Sequence, residues 1–186
     1  MNNIQKIAQE LYDVLQPHCK SIYLGGSICE GIIQNVHDID LIFFGRKPID
    51  MCYIRRELFF YMQKHPIDKK YDCIQVRNMA NEEHSYGSYI NKKMILLIGE
   101  PINFQFDVIN LHREEYKHIL IETINKLNIK KIKNQKRWYQ IVRGFYILKN
   151  NSYELSDKEK EIINIIHDQL PGWEQYKITA DDILKY

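Results

Sequence analysis

The sequence predicts an α/β (α+β) fold, a small mixed β-sheet with flanking helices followed by a C-terminal helical part. Three observations predict it. Residues 20–44 read as strand, glycine-rich turn, short helix and second strand. Residues 93–98 and 102–109 form two strand-like runs joined by the turn triplet Gly99-Glu100-Pro101. From His112 onward the apolar spacing is helical throughout. The expected organisation is an α/β core over 1–112 and a helical region over 113–186, with no Gly/Ser-rich break between them, so that the two form one compact unit.

In chain order, Asn3 is placed to cap a first helix over 4–16, whose Ile4, Ile7, Ala8, Leu11, Val14 and Leu15 fall at helical spacing before Pro17 stops it. Ser21 to Leu24 is a strand, and a second runs from Asp38 to Phe44. A long helix over 49–64 follows, with Met51, Ile54, Leu58, Phe59 and Met62 on one stripe and Pro66 beyond its end. Residues 71–76 alternate weakly as a strand, and 78–92 read as polar loop. Helices are expected over 114–127, 134–148 and 157–170, the last opened by a capping box at Ser156 and closed by Pro171-Gly172. Residues 171–186 have no assigned role, although 180–184 can form a helical turn.

The chemistry gathers around residues 25–40. Side chains alternate faces along a strand, so Asp38 and Asp40 point the same way while Ile39 turns to the core. Two carboxylates held side by side resist joint ionisation unless a cation sits between them, and hard oxygens at that separation suit Mg²⁺. Upstream, Gly25-Gly26-Ser27 leaves a strand to enter a helix, which turns backbone N–H groups and a hydroxyl outward where phosphate binds well.

Gly26-Ser27, ten residues, then Asp38-Ile39-Asp40 resembles the G-S-x10-D-x-D signature of the DNA polymerase beta-like nucleotidyltransferase superfamily. The resemblance implies transfer of a nucleoside monophosphate from a nucleoside triphosphate such as ATP, with two Mg²⁺ ions (Mn²⁺ as the alternative) held by three carboxylates. It also implies a third acid on a later strand. In the run 102–109, Phe104, Phe106 and Val108 face one side, and Asn103, Gln105 and Asp107 the other. Asp107 is therefore the third candidate beside Asp38 and Asp40, for catalysis and for metal. Taken on its own strand, Asp107 reads equally well as a solvated residue. Under the resemblance, Gly26 and Ser27 grip the β,γ-phosphates.

Residues 126–137 carry six basic residues and no acid, which fits either a solvated helix face or a phosphate-contacting patch. Lys136 and Arg143 stand seven residues apart on one helical face. In similar transferases helical cations reach the β- and γ-phosphates, so both are nucleotide-binding candidates. Residues 136–143 and 152–160 resemble, more loosely, the RNA-ligase-associated nucleotidyltransferase-like group of phages and bacteria. Trp138 and Trp173 read as packing anchors, His37 as structural or capping, and His84 and His112 as isolated from any ligand cluster.

Composition bounds the rest. A hydrophobic fraction of 45% in 186 residues is ample for a core. A net charge of +2 gives no bulk attraction to nucleic acid, so any such case rests on local clusters. The four cysteines show no C-x-x-C spacing and the start has no signal-like apolar run, from which a reduced, cytoplasmic protein with structural thiols is expected. No apolar run nears the roughly 18 residues that span a bilayer. The expected reaction has an RNA hydroxyl as acceptor, such as a tRNA 3′ end. The alternatives are an antitoxin-type enzyme modifying a side chain of a partner toxin, a small-molecule acceptor, and a catalytically silent nucleotide- or RNA-binding module. Base preference and oligomeric state are not legible.

Overall fold

The computed structural model describes residues 2–45, 50–79, 94–102, 109, 112–129 and 135–186. Among them the chain is a mixed α/β protein that clusters into two compact units, residues 1–31 with 36–106, and residues 32–35 with 107–186.

The first unit is built on a four-stranded sheet of order β3-β2-β1-β4, with β1 Cys19–Gly25, β2 Asp38–Gly45, β3 Cys73–Met79 and β4 Ile95–Gly99. β1 pairs antiparallel with both β2 and β4, whereas β2 pairs parallel with β3. That parallel pair needs a crossover, and it is supplied by a helix, α3, Met51–Lys64. α1, Asn2–Leu15, precedes the sheet, and a single turn, α2, Ser27–Glu30, links β1 towards β2.

One face of the sheet is covered by the helices. Ile39, Leu41 and Phe43 of β2 and Ile22 and Leu24 of β1 join Ile7 and Leu11 of α1 and Ile54 and Leu58 of α3 in one buried cluster. The other face carries Tyr23, Ile42, Phe44 and Ile102. A tyrosine buried there needs a partner for its hydroxyl, and the Ile102 N–H donates to it at 2.8 Å. Register is fixed by this two-sidedness. Slipping β2 by one residue would turn Ile39, Leu41 and Phe43, all fully buried, out of the helix-covered core. At roughly 1.5–3 kcal/mol per side chain the loss approaches the whole stability of a domain, about 5–15 kcal/mol. Asp38 and Asp40 are thereby held on the face away from α1 and α3.

The ends of the elements differ from the sequence expectations in instructive ways. Asn3 lies inside α1 rather than capping it, and its side-chain amide donates to the Pro66 carbonyl at 2.6 Å. α3 is capped by Asp50, whose carboxylate accepts from the Cys52 N–H at 2.8 Å. β3 continues to Met79, into the stretch expected to begin a loop, because its parallel ladder with β2 runs on to Phe44. The rest of that loop, with His84, lies outside the described residues, as does most of the strand expected over 102–109.

The second unit is helical: α4 Arg113–Ile129, α5 Gln135–Asn150, α6 Asp157–His167 and a short α7, Ala180–Leu184, with a 3-10 turn at Trp173–Tyr176. Gly144 lets α5 lie close to α4, since a Cβ there would meet the Tyr116 hydroxyl and Leu120. The capping box expected at Ser156 is present, with Glu159 as its reciprocal partner, but α6 stops at His167, three residues short of the expected end. Trp138 and Trp173 are buried, with the Lys177 ammonium 5.3 Å and 4.9 Å from their ring centres. Arg113 ties the start of α4 to the Leu148 and Tyr186 carbonyls. Residues 32–35 belong to this unit through Asn164, a buried residue of α6 that donates to the Ile32 carbonyl and accepts from the Gln34 N–H.

Candidate active site

Asp38 and Asp40 open β2, and the paired strands decide what surrounds them. On one side Asp40 stands opposite Gly25 of β1; on the other, Asp38 and Asp40 are in register with Cys73 and Gln75 of β3. In a parallel pair, residues in register share a face. The four side chains therefore form a two-by-two patch.

Hydrogen bonds tie this patch together. The Gln75 side-chain amide donates to Asp38 Oδ2 at 2.7 Å, and the Cys73 thiol donates to Asp38 Oδ1 at 3.4 Å. Burial, and then the bond it donates to the Asp38 carboxylate, push the Cys73 thiol up from its ordinary pKa. Cys73 is thus held as a neutral donor. Asp38 is partly buried and Asp40 is 8% exposed, a degree of enclosure that ionised carboxylates seldom adopt without compensation.

The glycine turn completes the site. Gly26 follows β1 with φ +71° and precedes α2, and the space its missing side chain leaves is filled by the Asp40 carboxylate. Gly26 and Asp40, fourteen positions apart in the chain, lie side by side because β1 and β2 are antiparallel neighbours with Gly25 opposite Asp40. Ser27 is the first residue of α2 and is partly exposed. Since α2 is only four residues long, what it offers an anion is a few N–H groups and the serine hydroxyl rather than a macrodipole.

Asp107 lies outside the described residues. Lys136 is in α5 of the helical unit, and its side chain is likewise outside them. Arg143, also in α5, is buried at 2% exposure with its guanidinium carbon 5.9 Å from the Tyr139 ring centre. Residues 130–134 of the basic run 126–137 are outside the described residues. His37 immediately precedes β2, largely exposed, with its ring 3.8 Å from the Asp72 carboxylate. His112 pairs with Glu115 at 3.4 Å.

The donor set suits a hard divalent cation. Two carboxylates on one sheet face, one of them oriented by an amide, are oxygen ligands with an outer partner already in place. Among the described residues no group of three or more His, Cys, Asp or Glu is arranged around a common point, so a third acid would have to come from elsewhere in the chain. Cys73 and Gln75 were not anticipated from sequence; the signal available was the weak alternation of residues 71–76, which puts 73 and 75 on one face. No helix among the described residues is long and apolar enough to cross a membrane. Comparisons with family models, with curated proteins and with solved structures returned no match.

Proposed function

We propose that the chain is a metal-dependent nucleotidyltransferase that moves a nucleoside monophosphate from a nucleoside triphosphate to a hydroxyl acceptor and releases pyrophosphate, with RNA, such as a tRNA 3′ end, as the acceptor. The observation that carries this reading is the packing of Gly26 against Asp40. It brings the Gly-Ser turn and the paired carboxylates to one end of one sheet face, the arrangement that the G-S-x10-D-x-D spacing requires if it is more than a coincidence of letters.

Asp38 and Asp40 would hold Mg²⁺, two ions in all, with Mn²⁺ able to replace them, and Asp107 would add the third carboxylate and accept the proton of the attacking hydroxyl. When bound, the metal offsets the charge of the triphosphate and lowers the pKa of that hydroxyl. Gly26 and Ser27 would present N–H groups and a hydroxyl to the β,γ-phosphates. Positioning and charge neutralisation would supply most of the acceleration, as in phosphoryl transfer generally. The compartment that fits this chemistry, and cysteines (Cys19, Cys29, Cys52 and Cys73) that form no disulfide, is the cytoplasm.

The test is incubation of the full chain with Mg²⁺ and each α-labelled nucleoside triphosphate, against total RNA, lysate protein or buffer. Label on RNA, absent with Asp40→Asn, is the expected result. Label on protein would replace the acceptor with a side chain, as in a toxin-modifying enzyme. Label nowhere, from a folded wild-type protein, would leave a binding scaffold.

A further inference from the structure

We propose that Gln75 is a positioning residue that holds the Asp38 carboxylate in the orientation a divalent cation needs, an assignment that rests on the nucleotidyltransferase reading above. Asp38 has a short, strong contact and a long, weak one with β3. The Gln75 amide lies 2.7 Å from Oδ2 and the Cys73 thiol 3.4 Å from Oδ1. A thiol is a weak donor, whereas an amide N–H to an ionised carboxylate is among the stronger neutral-donor bonds. The two oxygens of Asp38 are therefore not equivalent. Of the two, Oδ2 meets the stronger donor of β3 and Oδ1 the weaker.

The anchor is built into the sheet. Parallel pairing sets Gln75 in register with Asp40 and Cys73 with Asp38, so the amide reaches across from beside one carboxylate to the other. A carboxylate on an outer turn would be free to rotate about its Cα–Cβ bond; this one is fixed by a partner on a neighbouring strand, in the way outer-shell groups orient metal ligands elsewhere. Cys73, a weak donor at 3.4 Å, is no such anchor.

The experiment uses Mn²⁺ alone, titrated into the full chain without nucleotide and followed by electron paramagnetic resonance, with melting by circular dichroism measured before metal is added. Gln75→Met keeps the length of the side chain and removes the donor; it is expected to weaken Mn²⁺ binding by about ten- to a hundredfold with the metal-free melting temperature unchanged. Cys73→Ala is expected to change it by less than about threefold, in keeping with a weak donor. If Gln75→Met fails to fold, Gln75→Asn, whose amide is one methylene short of Asp38, serves in the same comparison. Wild-type affinity in the Gln75 variant, or an equal loss in Cys73→Ala, overturns the assignment and leaves the nucleotidyltransferase reading standing. A wild-type chain that holds no Mn²⁺ overturns both.

Discussion

Gly26 and Asp40 are packed so closely that position 26 has no room for a side chain: a Cβ there would overlap Asp40 Oδ2 and lie 2.9 Å from its Cγ. The turn and the carboxylate are thus one structural unit, and the glycine is required twice, for φ +71° and for space.

Gly31 isolates the two requirements. It has nearly the same backbone, φ +65°, but nothing within 4 Å of where a Cβ would stand. Gly31→Ala should cost only the left-handed conformation, about 1 kcal/mol. Gly26→Ala adds the collision with a carboxylate that is 8% exposed and should cost about 2 kcal/mol or more. Urea unfolding of the two variants measures the difference. Nucleotide incorporation should be lost in Gly26→Ala and kept in Gly31→Ala; equal behaviour of the two would remove the close approach from the site.

Local pattern was enough to read the Asp38–Asp40 face, because a strand alternates with period two and Ile39, Leu41 and Phe43 had to go inward. It was not enough to find Gln75 or Cys73 as partners, because which strand lies beside β2, and in what register, is a long-range choice that no local periodicity encodes. The same limit explains Asn3. A residue that looks like a cap at the start of a helix instead satisfies a carbonyl 63 residues away. Asn164 could have been noticed as a lone polar residue among Ile162, Ile163, Ile165 and Ile166, but its partners at Ile32 and Gln34 could not.

Asn164 should be the most sensitive polar position of the helical unit. Its amide donates to the Ile32 and Lys160 carbonyls at 2.8 Å and 2.7 Å, and its oxygen accepts from the Gln34 N–H at 2.9 Å. Asn164→Leu keeps the approximate volume and leaves these groups without that partner, at a cost of roughly 2–3 kcal/mol. The Gln34 amide should also lose protection from hydrogen exchange. Unchanged stability and unchanged protection would show that residues 32–35 are held by something other than this side chain.

Ser21 offers a change in the opposite direction. It is fully buried on β1, and its hydroxyl has no hydrogen-bond partner among the described residues. An unsatisfied buried hydroxyl costs free energy that its removal returns. Ser21→Ala should therefore be neutral or stabilising by up to about 1 kcal/mol, where most buried substitutions destabilise. A lower denaturation midpoint at constant slope would contradict it.

Acid should act on the C-terminal turn through Asp182. The Thr179 N–H, the Lys185 ammonium and the Thr179 hydroxyl hold its carboxyl well below the usual carboxylate range, with the first bond at 2.9 Å and the second at 2.9 Å. A carboxyl whose folded pKa is depressed binds its proton more readily in the unfolded chain, so its stabilisation is complete above the ordinary value of about 3.9 and declines as pH falls below it. Asp182→Asn removes the charge at every pH. Its melting temperature should lie below wild type at pH 7, and the gap should narrow between about pH 4 and pH 2. The group is partly solvated, so the gap should also shrink in high salt. A gap that stays constant across the acid range would mean that the charge of Asp182 contributes nothing.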